Sequence, residues 1–389
     1  MNYLLPERLA RPDHGKLLAA LRSTAGAPAE GIRLVSTPSQ HQGGKLPYGV
    51  ALVCLLIILV VLAILGVMFG SVSVPAPTAI GILVNWVTGQ ELIPVTWRAV
   101  YETIIIETRL PRVILAAAVG ATLAATGMTI QAVVRNPLAG PSILGVSNGA
   151  AAGAVIVMRW SLVGLGAFTL YISAFAGALV TLLMVFWVAR TGGSITPTRL
   201  VLAGIAMSAV LNALTSLLVL TSPDPQLASR VLFWTLGGFA SAQWKLLPLP
   251  IAAMVIGLGL MLLQARRLNL LMAGDESATA LGLDVHGFRR SMFLLTAALT
   301  GVMVAVSGVI GFVGLIVPHI VRFIVGADHR RGLPAVALVG ACFTVAADLI
   351  ARAVISPLEL PVGIITALVG GPFFIWLLRR DAKGREQGA

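Results

Sequence analysis

Side chains able to do chemistry are few in this sequence, and they are scattered. Its histidines, His14, His41, His286, His319 and His329, include no two at metal-ligand spacing beside a cysteine or a carboxylate pair. Its lysines, Lys16, Lys45, Lys245 and Lys383, stand in no glycine-rich loop that would cradle a nucleotide phosphate. No enzyme signature is legible, so any ATP-driven work must be powered by another chain. Cys54 and Cys342 fall inside apolar runs and read as small packing residues, which leaves the redox compartment unreadable. His319, after Pro318 in an apolar run, reads as a packing residue in preference to an iron ligand, because no ligand-type neighbour accompanies it.

The charges inside apolar sequence offer ion pairing and docking instead. Asp348 and Arg352 lie at i and i+4, on one face of a helix, where pairing lowers the cost of burying each. Arg109 and Arg112 flank Pro111, which stands where a helix can start. With Arg352 expected close to the outer surface, the three arginines would form a cationic set that suits an acidic partner. Interfacial anchoring by snorkelling accounts equally well for Arg109 and Arg112. Further on, Asn136, Pro137, Gly140 and Pro141 force irregular backbone, either a gate or cavity lining or a plain tight turn between spans. Gln131, Asn148 and Asn212 are polar enough to line a pathway or to bond between helices, and Gly149 with Gly153 would let two helices approach closely.

One polar island, Arg266 to Arg290, interrupts the later half: RRLNLLMAGDESATALGLDVHGFRR. Its apolar positions predict short amphipathic helices, Gly274 and Gly282 punctuate it, and Asp275 is expected to cap a helix beginning at Glu276. The expectation is helix, turn, helix outside the bilayer, touching a soluble partner; a solvated loop is the plainer alternative.

The elements that must position these residues are membrane spans. With 58% apolar and 11% charged residues over 389 positions, the chain is too apolar for a soluble two-domain protein and long enough for about ten spans. Apolar runs place them near 46–69, 113–132, 144–157, 170–189, 200–220, 247–263, 291–309, 311–325, 333–355 and 361–378. The net charge of +12 would suggest nucleic acid in a soluble protein, but its positions fit a membrane better. If the N-terminus is cytoplasmic, only Arg98, Arg109, Arg112, Arg159, Arg230, Lys245 and Arg352 fall outside, the asymmetry that the positive-inside rule requires. Both termini and the island are then cytoplasmic. Residues 1–45 read as a largely disordered tail, and the first apolar run, long enough to span, reads as retained.

The stretches RLPR, RNPLAGPSILGVSNGA, GDESATALGLDV, GFVGLIVPHIVRFIVGADHRR and ELPVGIITALVGGPFF resemble the FecCD/BtuC family of ABC importer permeases, from Arg109 to Arg380. The resemblance implies an all-α, polytopic BtuC-like permease fold of about ten transmembrane helices over residues 46–380, with cytoplasmic tails at 1–45 and 381–389. It implies a second permease subunit, identical or related, around a central pathway in a bacterial cytoplasmic membrane. ATP-binding cassette ATPase subunits would sit below, and a periplasmic or lipid-anchored substrate-binding protein above. No cofactor is expected on this chain, ATP and magnesium belonging to the partner ATPase, and no nucleic acid. By position, Gly274, Asp275, Glu276, Ala278, Leu281 and Gly282 match the segment that seats in the ATPase. Arg109, Arg112 and Arg352 match arginines that receive acidic residues of the binding protein. Asn136 and Leu138 match one inner gate, and Thr196, Pro197 and Thr198 a second, more loosely because Pro197 replaces a small hydroxyl residue. Gly140 stands where the family usually has an acid, and the tail before Leu46 is longer than typical. The implied cargo is an iron complex, ferric siderophore first, then haem, then cobalamin. A secondary transporter driven by protons or sodium is the alternative of a different class; it would need carboxylates in its spans, and Asp348 is the main candidate.

Overall fold

A computed structural model describes residues 47–70, 72–162, 164–190 and 197–386; the expected tail at 1–45 and Thr196 lie outside the described residues. The chain is all-α. The helices are α1 (Tyr48–Met68), α2 (Ala76–Thr88), α3 (Leu110–Val134), α4 (Val146–Trp160), α5 (Thr169–Ala189), α6 (Pro197–Leu220) and α7 (Leu227–Leu236). They continue with α8 (Pro248–Leu263), α9 (Ala265–Met272), α10 (Asp275–Ala280), α11 (Val285–Ser307), α12 (Val313–Val325), α13 (His329–Ala353) and α14 (Val362–Glu386). Among the described residues seven are long and apolar enough to cross a membrane, and α4, α12 and α14 lie where the remaining spans of about ten are expected. At 15 and 13 residues, α4 and α12 fall short of the ~20 that a lipid-facing span needs. They are tolerated because protein, not lipid, covers much of their backbone.

The centre of the bundle is α3, whose residues are almost all buried and which packs most extensively on α13. Small residues make that contact: a Cβ built on Gly120 would lie 2.3 Å from the Gly340 carbonyl, and one on Gly340 2.4 Å from that of Gly120. Thr344 Oγ1 donates across the same contact to the Ala116 carbonyl at 2.7 Å. On α4, Cβ atoms on Gly149 and Gly153 would meet the backbone of Gly177 and Ser173 on α5 at 2.6 and 2.1 Å, so the spacing read as a packing device is one.

Pro111 does not start a helix from solvent. The helix already runs from Ala99, through a π-helical stretch over Thr103–Arg109, into α3. The wider π turn accommodates a proline whose ring would collide with the carbonyl four residues back in a regular helix. The continuous element of 36 residues is about 54 Å long, enough to join the two ends of the bundle.

Candidate functional site

The polar island folds as expected into helix, turn, helix: α9, Gly274 at φ 116°, α10, then Gly282 at φ 84° before α11. Both glycines take backbone conformations that a Cβ disfavours. Asp275 departs from its expected role as a cap. It is the first residue of α10, and its carboxylate turns to Arg289, which donates Nη1 to Oδ2 and Nη2 to Oδ1, both at 2.8 Å. A charge-assisted, bidentate fork outcompetes a single backbone N–H. Arg135 adds a third bond, Nη1 to Oδ1 at 3.2 Å. The Arg289 fork, seconded by Arg135, holds the Asp275 carboxyl below its usual range.

A second staple joins α9 to the start of α13. Asn269 Nδ2 donates to Asp328 at 2.6 Å and Asn269 Oδ1 accepts the His329 backbone N–H at 3.0 Å, while Asp328 caps α13 by accepting from Arg330 N. The Arg330 N–H and Asn269 keep the Asp328 carboxyl below its usual range. The island is therefore fixed to the bundle through Asn269 and through Asp275, and much of the rest of it is exposed. Ala278 is fully buried against the core; Glu276, Gly282 and Leu281 are exposed, Leu281 by 67%, and Met272 at the end of α9 is exposed by 46%. An exposed leucine at the tip of the most polar segment is a contact surface by chemistry.

The turn after α3 begins at Arg135, a non-glycine residue at φ 56°. Asn136 Oδ1 accepts the Leu138 N–H at 2.8 Å, and the turn proceeds through a short 3-10 segment, Pro141–Leu144, that packs on α6. Asn136 is exposed and Leu138 half-buried. Thr198 is exposed on the first turn of α6, which Pro197 opens. A cavity of about 210 Å3 lies beside the turn, lined by Gly140, Pro141, Ser147, Thr300 and Phe312.

At the opposite end the three arginines do not form an exposed cationic face. Arg109, Arg112 and Arg352 are only 4%, 5% and 2% exposed. Arg112 donates Nε to Asp348 at 2.9 Å and Nη1 to Glu359 at 2.6 Å, and Arg352 pairs with Asp348 at 3.0 Å. Arg109 donates to the carbonyls of Val67, Met68 and Val72, and Arg352 to that of Phe69 at 3.0 Å. Cations at the C-terminus of α1 meet the negative end of its dipole and its unsatisfied carbonyls. The expected Asp348–Arg352 pair is present; the exposure expected for these arginines is corrected, because each finds acceptors inside the bundle. Glu359, 31% exposed at its side chain, is the partner that the reading of single residues missed. Its only signal was its position as an acid heading the ELPVG stretch. A cavity of about 400 Å3 opens beside it, lined by Arg112, Tyr171, Trp234, Phe239 and Ser307 among others. His319 packs edge-on against Phe323 and Phe373, at ring separations of 5.0 and 6.1 Å.

Seven helices long and apolar enough to span among the described residues, shorter apolar helices beside them, one anchored polar island and small cavities at both ends define a multi-pass membrane permease. The chain belongs to the FecCD transport family, whose model matches residues 56–380, and is an ABC importer permease. It is 43% identical to the hemin transport system permease protein HmuU of Yersinia pestis, over 85% of this chain and 96% of that one. It is 42% identical to the Fe(3+) dicitrate transport system permease protein FecD of Escherichia coli, over 74% and 92%. It is 43% identical to the cobalamin import system permease protein BtuC of Halobacterium salinarum, over 74% and 75%. Among solved structures, an inward-facing conformation of a metal-chelate type ABC transporter matches 86% of this chain and 100% of its own at a TM-score of 0.74, with 32% identity.

Proposed function

We propose that this chain is the permease subunit of a bacterial importer for an iron complex, ferric siderophore before haem and haem before cobalamin, powered by separate ATP-binding cassette subunits. The observation that carries the energy coupling is the island's tip. Leu281, Glu276 and Met272 stand exposed on short helices that are stapled to α3, α11 and α13, so a partner seated there can move the bundle. Relatives named for hemin and for ferric dicitrate support an iron complex, and the one named for cobalamin supports the third choice. In this reading the island faces the cytosol, a second permease subunit completes the pathway, and a soluble or lipid-anchored binding protein delivers cargo at the opposite end. There the buried arginines hold α1, α3 and α13 together beneath the docking face. The turn at Asn136–Leu138, with Pro197 and Thr198 at the start of α6, closes the inner mouth.

The secondary-transporter alternative loses ground because Asp348, its main candidate, lies between two arginines and is not free to carry a proton or sodium ion. The test is uptake of radioiron siderophore, hemin and cobalamin into proteoliposomes holding the permease with its ATPase. Vanadate-sensitive uptake of the iron complexes is expected; uptake on an ion gradient without nucleotide would overturn the proposal. Leu281→Asp should weaken ATPase binding roughly thirty-fold, the effect of losing about 2 kcal/mol at an apolar interface anchor. Copurification of the two subunits across a dilution series measures it.

A further inference from the structure

The conformation of the island assigns Asp275 a task different from that of its exposed neighbours. Its carboxylate is held by three bonds from two arginines: the Arg289 fork at 2.8 and 2.8 Å, and Arg135 at 3.2 Å. Arg289 is 8% exposed, and its remaining Nε donates at 3.1 Å to the Val133 carbonyl, in the last turn of α3. Arg135 is the residue that ends α3, and the next residue, Asn136, holds the turn through Leu138 N–H. One carboxylate on α10 thus ties the island to the terminus of the central helix by two routes, directly through Arg135 and through Arg289 to Val133.

We propose that Asp275 is a positioning residue that converts displacement of the island into displacement of the turn at Asn136–Leu138, and that it is not itself a contact for the ATPase. This deepens the reading of the island as the ATPase seat and rests on it. Two features argue for transmission over mere bracing. The link is short: one nearly buried arginine, Arg289, forks onto Asp275 and reaches Val133, and Arg135 adds a single bond, while forked arginine pairs preserve orientation as well as distance. It also ends on the turn itself: Arg135 at φ 56° sets the direction in which the chain leaves α3. Glu276 and Leu281, by contrast, are exposed and make no such bond to the bundle.

The test uses the permease reconstituted with its ATPase subunits, comparing Asp275→Asn, Asp275→Glu and Arg135→Gln with the unaltered chain. Arg135→Gln leaves no buried charge behind, so it remains informative should Asp275→Asn fold poorly. The readouts are copurification of the ATPase, cargo moved per ATP hydrolysed, and thiol labelling of Leu138→Cys with and without nucleotide, in a chain lacking Cys54 and Cys342. Expected are full copurification and hydrolysis, a fall of at least five-fold in cargo per ATP for Asp275→Asn and Arg135→Gln, recovery in Asp275→Glu, and loss of the nucleotide dependence of labelling at position 138. A cargo-to-ATP ratio within two-fold of the unaltered chain would overturn the proposal while leaving the seat intact. Loss of copurification in Asp275→Asn would also overturn it, by making Asp275 a contact. Absence of any ATPase with the unaltered chain would remove the reading beneath both.

Discussion

At the scale of single residues, burial and partnering separate charges that look alike in sequence. Asp348 is 1% exposed and faces Arg112 at 2.9 Å and Arg352 at 3.0 Å. Removing its charge takes from Arg352 its carboxylate partner and leaves Arg112 with Glu359 alone, a loss of about 3–5 kcal/mol for breaking a buried pair. Asp348→Asn should therefore unfold in detergent at a markedly lower temperature, and an unchanged midpoint would count against the network. Asp275, half-exposed, behaves differently. Its carboxyl is held below the usual 3.8 by Arg289, so the charged form is favoured in the folded chain. Stability from this group is fully present above the ordinary carboxylate range and is lost only as pH falls through the depressed value. Island protection against limited proteolysis should be flat from about pH 7 to about pH 5 and should weaken only in stronger acid; a loss already near neutrality would contradict the pairing.

At the scale of elements, the bundle relies on helices that approach to backbone contact. A Cβ on Gly127 of α3 would lie 1.9 Å from the Gly314 carbonyl at the start of α12, and backbone cannot swing aside as a side chain does. Gly127→Ala should destabilise by about 1–3 kcal/mol or more through overpacking. Gly259→Ala on α8, with no atom within 4 Å of the new Cβ, should be neutral or slightly stabilising, since alanine favours helix by up to about 1 kcal/mol. Parallel thermal unfolding of the two variants checks the contrast. Elements were legible in proportion to their hydropathy: α1, α5 and α8 lie where apolar runs put them. The short helices α2 and α7, and the π-helical lead into α3, were not expected. They depend on contacts with neighbouring segments, and no run of apolar residues announces a π turn.

At the scale of the whole molecule, α3 joins the two sites. Its first turn carries Arg112 into the buried charge cluster, and at its other end Val133 meets Arg289 and Arg135 meets Asp275, both partners on the island. The proposed orientation predicts that Leu281→Cys, in a chain without Cys54 and Cys342, labels with an impermeant thiol reagent only in inside-out vesicles. Labelling in right-side-out cells would reverse the topology. The buried arginines also alter how a docking protein would act in this architecture, since it would meet the surface over the cluster, with Glu359 as its half-exposed member.

Composition and hydrophobic period alone determined that this chain is an all-α membrane protein of about ten spans with one polar island, because burial in lipid is decided run by run and adds along the chain. Sequence also marked Arg109, Arg112, Arg352 and Asp275 as worth attention. Only the tertiary structure decided what they do, because pairing depends on distance through space: Arg112 meets Asp348 across 236 residues, and Arg289 meets the end of α3 across 156. A charge bound for a docking surface and one bound for a buried clamp are identical until the fold supplies the neighbour, and here the neighbours are Asp348, Glu359 and the carbonyls that end α1.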